Sequence, residues 1–144
     1  WRLRPRIRRE VLEASGLRHG PWIRDSLAGE LEGATRRVEP IRIAYTGDTA
    51  PCRSVLEAVR GVDVLIHDST YGGDRRVEAV ERGHSSSVDA ALIAREAGVR
   101  VLVLHHISAR YQGVEAVRLV REARRIHGGA ILSWDGMRIE VRRS

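Results

Sequence analysis

From residue 41 onward the chain alternates short branched apolar runs with longer segments of three-to-four periodicity. Ile41-Arg42-Ile43-Ala44-Tyr45 reads as a strand over 41–46 that stops at Thr46-Gly47, and a Pro-led helix follows over 51–60. Val62 to Ile66 is the next strand. A Gly- and Arg-rich loop over 71–83 follows, with a helical turn around 75–81. Ser85 to Ala97 has a strong helix signature. Ser86 and Asp89 form a capping-box-like start, and Gly98 gives a stop. Val99 to Leu104 is rich in β-branched residues and suits a strand buried on both faces. Val114 to His127 is expected to be a helix with Val117, Val120 and Ile126 facing inward. Ala130 to Leu132 and Met137 to Val141 are expected to close the fold as a hairpin around Trp134-Asp135-Gly136. Before this regular part, residues 1–40 form a basic, turn-rich lead-in. Short helices are expected over 6–14 and 22–31, around the turn-rich Gly16-Leu17-Arg18-His19-Gly20-Pro21. The domain reading is therefore 1–40 and 41–144, with an α/β class for the second.

Composition adds bounds. A chain of 144 residues with 42% apolar content suits one domain with a real core. No apolar run approaches the ~20 residues of a membrane-spanning helix, so no membrane partner is expected. Cys52 is the single cysteine and permits no internal disulfide, which fits a cytoplasmic setting. The net charge is +6, and every basic residue among Lys and Arg is Arg. Arginine's planar fork matches phosphate oxygens, so a nucleic-acid partner is compatible; a total lack of Lys equally fits a codon bias. Arg2, Arg4, Arg6, Arg8 and Arg9 form the densest cluster. The chain begins with Trp1, so it is expected to be a piece of a longer protein.

The candidate chemistry lies at strand ends. The first strand delivers Asp48, the second His67-Asp68-Ser69-Thr70, the third His105-His106-Ile107-Ser108. Parallel neighbours would bring these ends to one rim, and the loop Gly83-His84-Ser85-Ser86-Ser87 would add His84. Imidazole nitrogen and carboxylate oxygen suit zinc. Asp48 has two oxygens with which to bridge two metals, and His106 would supply nitrogen to one. His84 sits at a helix start, where amides and hydroxyls favour an anion, and a histidine there suits proton donation. The plainer alternatives are that Asp48 caps the 51–60 helix, that Ser85 to Ser87 only cap theirs, and that each His is structural.

Together, Tyr45-Thr46-Gly47-Asp48-Thr49, His67-Asp68-Ser69-Thr70, Gly83-His84-Ser85-Ser86 and Leu104-His105-His106-Ile107-Ser108-Ala109-Arg110-Tyr111 resemble the second half of ribonuclease Z. That family is the tRNA 3′-processing endonuclease (tRNase Z) of the metallo-β-lactamase fold. The resemblance implies half of an αββα sandwich, with a mixed sheet and flanking helices. It implies that Asp48 is the metal-bridging aspartate and His106 the last metal-ligand histidine. His84 would assist proton transfer to the leaving group, and Asp68 would stand where the family commonly has Glu. Ser86 replaces a Thr, and Ser85, Ser86 and Arg110 would face the substrate. His105 is expected to be outside the ligand set, and Tyr111 belongs to the family's Arg-Tyr pair. The Pro5-to-Arg9 region corresponds weakly to an RNA-contacting loop.

The family's first-half motif, His-x-His-x-Asp-His, is absent from this sequence. Asp48 and His106 alone are too few for a catalytic metal pair. The chain is therefore expected to carry only the C-terminal part of a two-zinc site, and to be inactive and bind zinc poorly alone. The complete protein would remove the 3′ trailer from precursor tRNA, in the cytoplasm and as a homodimer. The alternatives are another metallo-β-lactamase-fold phosphodiesterase or sulfatase-like hydrolase, and a non-catalytic half-domain that complements a partner or binds RNA.

Overall fold

The computed structural model describes residues 6–7, 35–36 and 40–142. The chain divides into two compact units, Trp1–Pro40 and Ile41–Ser144. In the first, β1 (Arg6–Ile7) pairs antiparallel with β2 (Thr35–Arg36). The helix expected over 6–14 does not hold at its start, where Arg6–Ile7 is strand; the rest of it and the helix expected over 22–31 lie outside the described residues.

In the second unit the order is β3 (Ile43–Tyr45), α1 (Arg53–Ala58), β4 (Val64–Asp68), a 3-10 turn (Gly73–Arg75) running into α2 (Arg76–Glu81), α3 (Ser87–Glu96), β5 (Val101–His105), α4 (Val114–Arg124) and β6 (Ala130–Leu132). The four strands make one sheet in the order β3-β4-β5-β6, and each neighbouring pair is parallel. The sheet described is thus all-parallel and not mixed. The antiparallel partner expected over 137–141 does not form. Trp134 does accept a turn bond from Met137, with Gly136 at φ 80°, but the chain beyond does not return as a strand. Residues 138–140 are exposed, so nothing rewards pairing there.

Register explains the core. Ala44, Leu65, Leu102 and Ala130 align across the four strands, as do His67, Leu104 and Leu132 across three, so their side chains share one face. That face packs on α3 through Ala90, Ala91, Ile93 and Ala94, and on Ala123 of α4. Small alanines let the helices approach closely, while Leu65, Leu102 and Leu104 fill the gap, each fully buried. Each such leucine contributes about 1.5–3 kcal/mol. The opposite face carries Ile43, Tyr45, Ile66, Val103 and Ile131 by the same alternation. Ile43 and Tyr45, on the edge strand, are exposed.

Helix α4 corrects the sequence expectation in detail. Leu119 and Ala123, four residues apart, are its buried residues; Val120 and Ile126 are partly buried, and Val117 is exposed. Val120 and Ile126 pack against the core as expected, and Val117 is the departure.

Helix α3 starts as its sequence predicts. The Ser86 hydroxyl accepts from the Asp89 amide at 3.1 Å, and Asp89 Oδ2 accepts from the Ser86 amide and hydroxyl. Asp completes the box in place of Glu, and the Arg76 guanidinium also donates to its Oδ1. Ser86→Ala is expected to lower stability by about 1–2 kcal/mol, since it removes a cap and strips a partner from a buried carboxylate. Urea unfolding at neutral pH checks this.

Candidate metal centre

The parallel sheet places the ends of β3, β4 and β5 on one rim, and the loops beyond them are stitched together. Thr46 donates to the Ile66 carbonyl, Ser69 to that of His105, and Ser108 to that of Thr70. The 83–87 loop is drawn in by two backbone bonds with Tyr71: Tyr71 donates to the Ser85 carbonyl, and Ser87 donates to the Tyr71 carbonyl.

Asp68 sits at the centre of this rim, fully buried. Its Oδ1 accepts from the Thr70 amide at 2.9 Å and the Thr70 hydroxyl at 2.7 Å. Its Oδ2 accepts from the Thr49 amide at 3.0 Å and from His84 Nδ1 at 2.8 Å. Burial alone would raise the carboxyl pKa. The bonds from His84 and Thr70, with that from Thr49, outweigh it and hold the pKa below the ordinary value. Asp68 is therefore an anion, and its partner is His84.

An anionic Asp68 settles the tautomers around it. His84 must carry its proton on Nδ1 to donate to Oδ2, which leaves Nε2 facing away from the carboxylate. The single Thr70 hydroxyl proton is committed to Asp68 Oδ1. The contact of 2.8 Å between Thr70 Oγ1 and His106 Nδ1 then requires His106 to donate, and its Nε2 also keeps a lone pair. The two rings stack with centroids 5.1 Å apart. Asp48 joins them, with Oδ1 3.5 Å from His106 Nδ1. Ligand atoms of Asp48, His84 and His106 all lie within 4.8 Å of one another. Two imidazoles and a carboxylate form a donor set that fits zinc, and the buried carboxylate behind His84 is the usual support for a metal-binding imidazole. His106 has a left-handed backbone, φ 58°, a conformation that non-glycine residues seldom adopt and that often marks functional positions.

The other sequence candidates divide. Asp48 does not cap α1: Cys52 is the N-cap and makes no side-chain cap bond, and the Asp48 carboxylate is half-exposed at the rim. Ser85 and Ser86 are fully buried, and their hydroxyls are spent on the Thr49 carbonyl and on Asp89. Arg110 is partly exposed, with its guanidinium 5.2 Å above the Tyr71 ring and 3.8 Å from Glu78. Tyr111 is buried, and its hydroxyl accepts from the Gly72 amide. His105 lies outside the cluster, edge-on to Tyr45 at 5.5 Å. His67 points into the helix-covered core. Its Nδ1 donates to the Asp68 carbonyl, and burial lowers its pKa and keeps it neutral.

Sequence reasoning missed Thr70, which joins Asp68 to His106, and Glu122. The Glu122 carboxylate accepts from the Gly73 amide and the Ser87 hydroxyl, so it ties the two loops behind the rim. The position of Thr70, two residues after a strand-end Asp, was the available signal for the first. Glu122 lies on a distant helix and gave none.

The Asp68 pKa is depressed on folding, so its stabilisation is complete above the unfolded-chain value of about 3.9 and disappears as pH falls through the lower folded value. Asp68→Asn is expected to destabilise the chain near neutrality by about 1–3 kcal/mol, because an amide meets donors where a carboxylate oxygen stood. The gap to the unsubstituted chain should narrow as pH drops below about 4. Denaturant midpoints measured from pH 7 to pH 3 check both statements.

A family model of the beta-lactamase superfamily domain matches residues 14–107. A ribonuclease Z of Aeropyrum pernix is 44% identical over 98% of this chain and 49% of its own length. One of Metallosphaera sedula is 54% identical over 60% of this chain and 28% of its own. The chain thus spans about half the length of the first of these relatives. Among solved structures, the metallo-beta-lactamase fold protein YhfI of Bacillus subtilis superposes with a TM-score of 0.59 at 28% identity, covering 66% of this chain and 38% of that one. The short form of human tRNase Z gives 0.54 at 26% identity, over 70% and 34%. The chain belongs to the beta-lactamase superfamily, and it resembles ribonuclease Z along almost its whole length.

Proposed function

We propose that the protein to which this chain contributes is a zinc-dependent endoribonuclease that removes the 3′ trailer from precursor tRNA. The observation that carries this reading is the convergence of Asp48, His84 and His106 over one buried carboxylate, in a chain so similar to ribonuclease Z. Asp48 and His106 would hold two zinc ions together with ligands supplied by the remaining half of the protein. When bound, the ions would supply an activated water and offset the charge that develops on the phosphate.

The chain's own residues would do the rest. Asp68 orients His84 through its bond to Nδ1, and His84 would act as the acid through a proton on Nε2. That proton would pass to the departing 3′ oxygen of the tRNA. Arg110, held over Tyr71, offers a guanidinium to a phosphate beside the scissile bond. Ser85 and Ser86 would serve the substrate through the loop they hold in place, since their hydroxyls have internal partners. No described helix is long and apolar enough to cross a membrane. The same reading places the protein in the cytoplasm as a homodimer, with exposed Ile43 and Tyr45 on the edge strand available for self-association.

A second reading is another hydrolase of the metallo-beta-lactamase fold, acting on a small phosphodiester or sulfate ester. In the full-length protein, His84→Ala and Asp48→Ala are each expected to slow trailer removal by about 10²–10⁴-fold. Wild-type rates on both variants would refute the tRNA assignment of these residues. Faster turnover of a small chromogenic phosphodiester than of precursor tRNA by the unsubstituted enzyme would favour the second reading.

A further inference from the structure

We infer that Glu122 of α4 is a positioning residue for His84, whose carboxylate sets where the proposed acid stands. The inference rests on the acid role given above to His84. It adds a residue outside the Asp48, His84 and His106 group.

His84 stands near the end of an excursion that leaves β4 and returns at α3. Its backbone amide donates to the Ala79 carbonyl at 2.8 Å, so the residue is seated by the end of α2. Helix α2 is reached through the 3-10 turn that starts at Gly73, and α3 begins at Ser87, just beyond His84. One oxygen, Glu122 Oε2, accepts from the Gly73 amide at 2.9 Å and from the Ser87 hydroxyl at 3.1 Å. Both ends of the excursion are thereby tied to a single point.

The surroundings of that point are closed. Ser87 is fully buried, and the Glu122 side chain is only 20% exposed. Gly73 lies so close to α3 that a Cβ would meet Val88 Cγ2 at 2.6 Å. Its neighbours are gripped from the same part of the chain as Glu122. The Tyr111 hydroxyl accepts from the Gly72 amide, and Arg118 holds Asp74 at 3.3 Å. Arg118 also lies 3.5 Å from Glu122. Three successive loop residues thus each meet a different side chain, and of those three side chains Glu122 is the one that also reaches Ser87. Loss of its carboxylate leaves the buried Ser87 hydroxyl and the Gly73 amide without their acceptor. Once the two ends are released, His84 is no longer held against Asp68 Oδ2. A misplacement of ~1 Å caused from a distance costs about 10²-fold in rate.

The test is a double-mutant cycle on the full-length protein, with precursor tRNA as substrate. Glu122→Ala is expected to lower kcat by about 10–100-fold and to leave KM unchanged. Glu122→Gln, which keeps an acceptor, and Ser87→Ala, which removes one tie, should each lose less. In a His84→Ala background, Glu122→Ala should cost nothing further, because the acid that it positions is gone. A residue that merely supports the fold would instead slow His84→Ala by the same factor as it slows the unsubstituted enzyme. Circular dichroism and urea midpoints are measured on every variant. If Glu122→Ala does not fold, Glu122→Gln and Ser87→Ala carry the cycle with the same expectation. A wild-type rate in the folded Glu122 variants, or losses that multiply in the double variant, would overturn the inference. With His84→Ala slow on its own, either result leaves the proposed role of His84 standing. A wild-type rate for His84→Ala removes that role, and the inference with it.

Discussion

The whole rim depends on one buried anion, the carboxylate of Asp68. Placing an ionised carboxylate out of water costs several kcal/mol unless its lone pairs are met by donors. Four donors meet it here, from three separate segments: Thr49 after β3, Thr70 after β4, and His84 before α3. The loops are not adjacent in sequence, so the charge acts as their common anchor. Removing it would leave four donors without acceptors at the place where the chemistry is assembled.

The anchor is effective because its surroundings are braced from behind. Glu122 holds Gly73 and Ser87, the Tyr111 hydroxyl holds Gly72, and Asp89 holds Ser86 and Arg76. Gly73 is a glycine for a reason of space. A Cβ on Gly73 would lie 2.6 Å from Val88 Cγ2 of α3, whereas at Gly72 the nearest atom is Oδ1 of the half-exposed Asp74, which can move aside. Close approach of this loop to α3 is what brings Tyr71 into register with Ser86 and carries His84 to Asp68. Core packing thus reaches the rim through polar contacts at the helix start, and not through the sheet alone.

Much of this was legible in the sequence, for a physical reason. Alternating strands and helices imply parallel neighbours, and parallel neighbours put Asp48, Asp68 and His106 on the same edge. The Ser86–Asp89 cap was legible because capping is local. Other features depend on contacts that no local pattern encodes. Asp48 sits in the pattern of a helix cap, yet α1 begins at Cys52 without any side-chain cap. The residues after Trp134 alternate like a strand but form no strand pairing among the described residues. Val117 was wrongly expected inside α4 because Val117 and Leu119 are equally apolar, and only the packing of the helix decides which is buried. The role of Thr70 was hidden because a threonine after a strand usually ends in solvent or caps a turn.

The shortness of Asp68 carries a consequence of its own. The resemblance to ribonuclease Z leads one to expect Glu there, and loss of a methylene would ordinarily be read as lost reach. In this chain the shorter side chain folds back on its own loop and accepts from the Thr70 amide two residues on, the geometry of an Asx turn. Glu has one more rotatable bond and does not favour that local ring. The same oxygen takes the Thr70 hydroxyl, which leaves that hydroxyl only lone pairs to offer His106. One carboxylate therefore orients two histidines, the first by direct contact and the second through a threonine that it has itself locked. Reach toward His84 is not lost, since the bond is 2.8 Å. The shorter acid is thus suited to orienting both rings at once, one directly and one through Thr70.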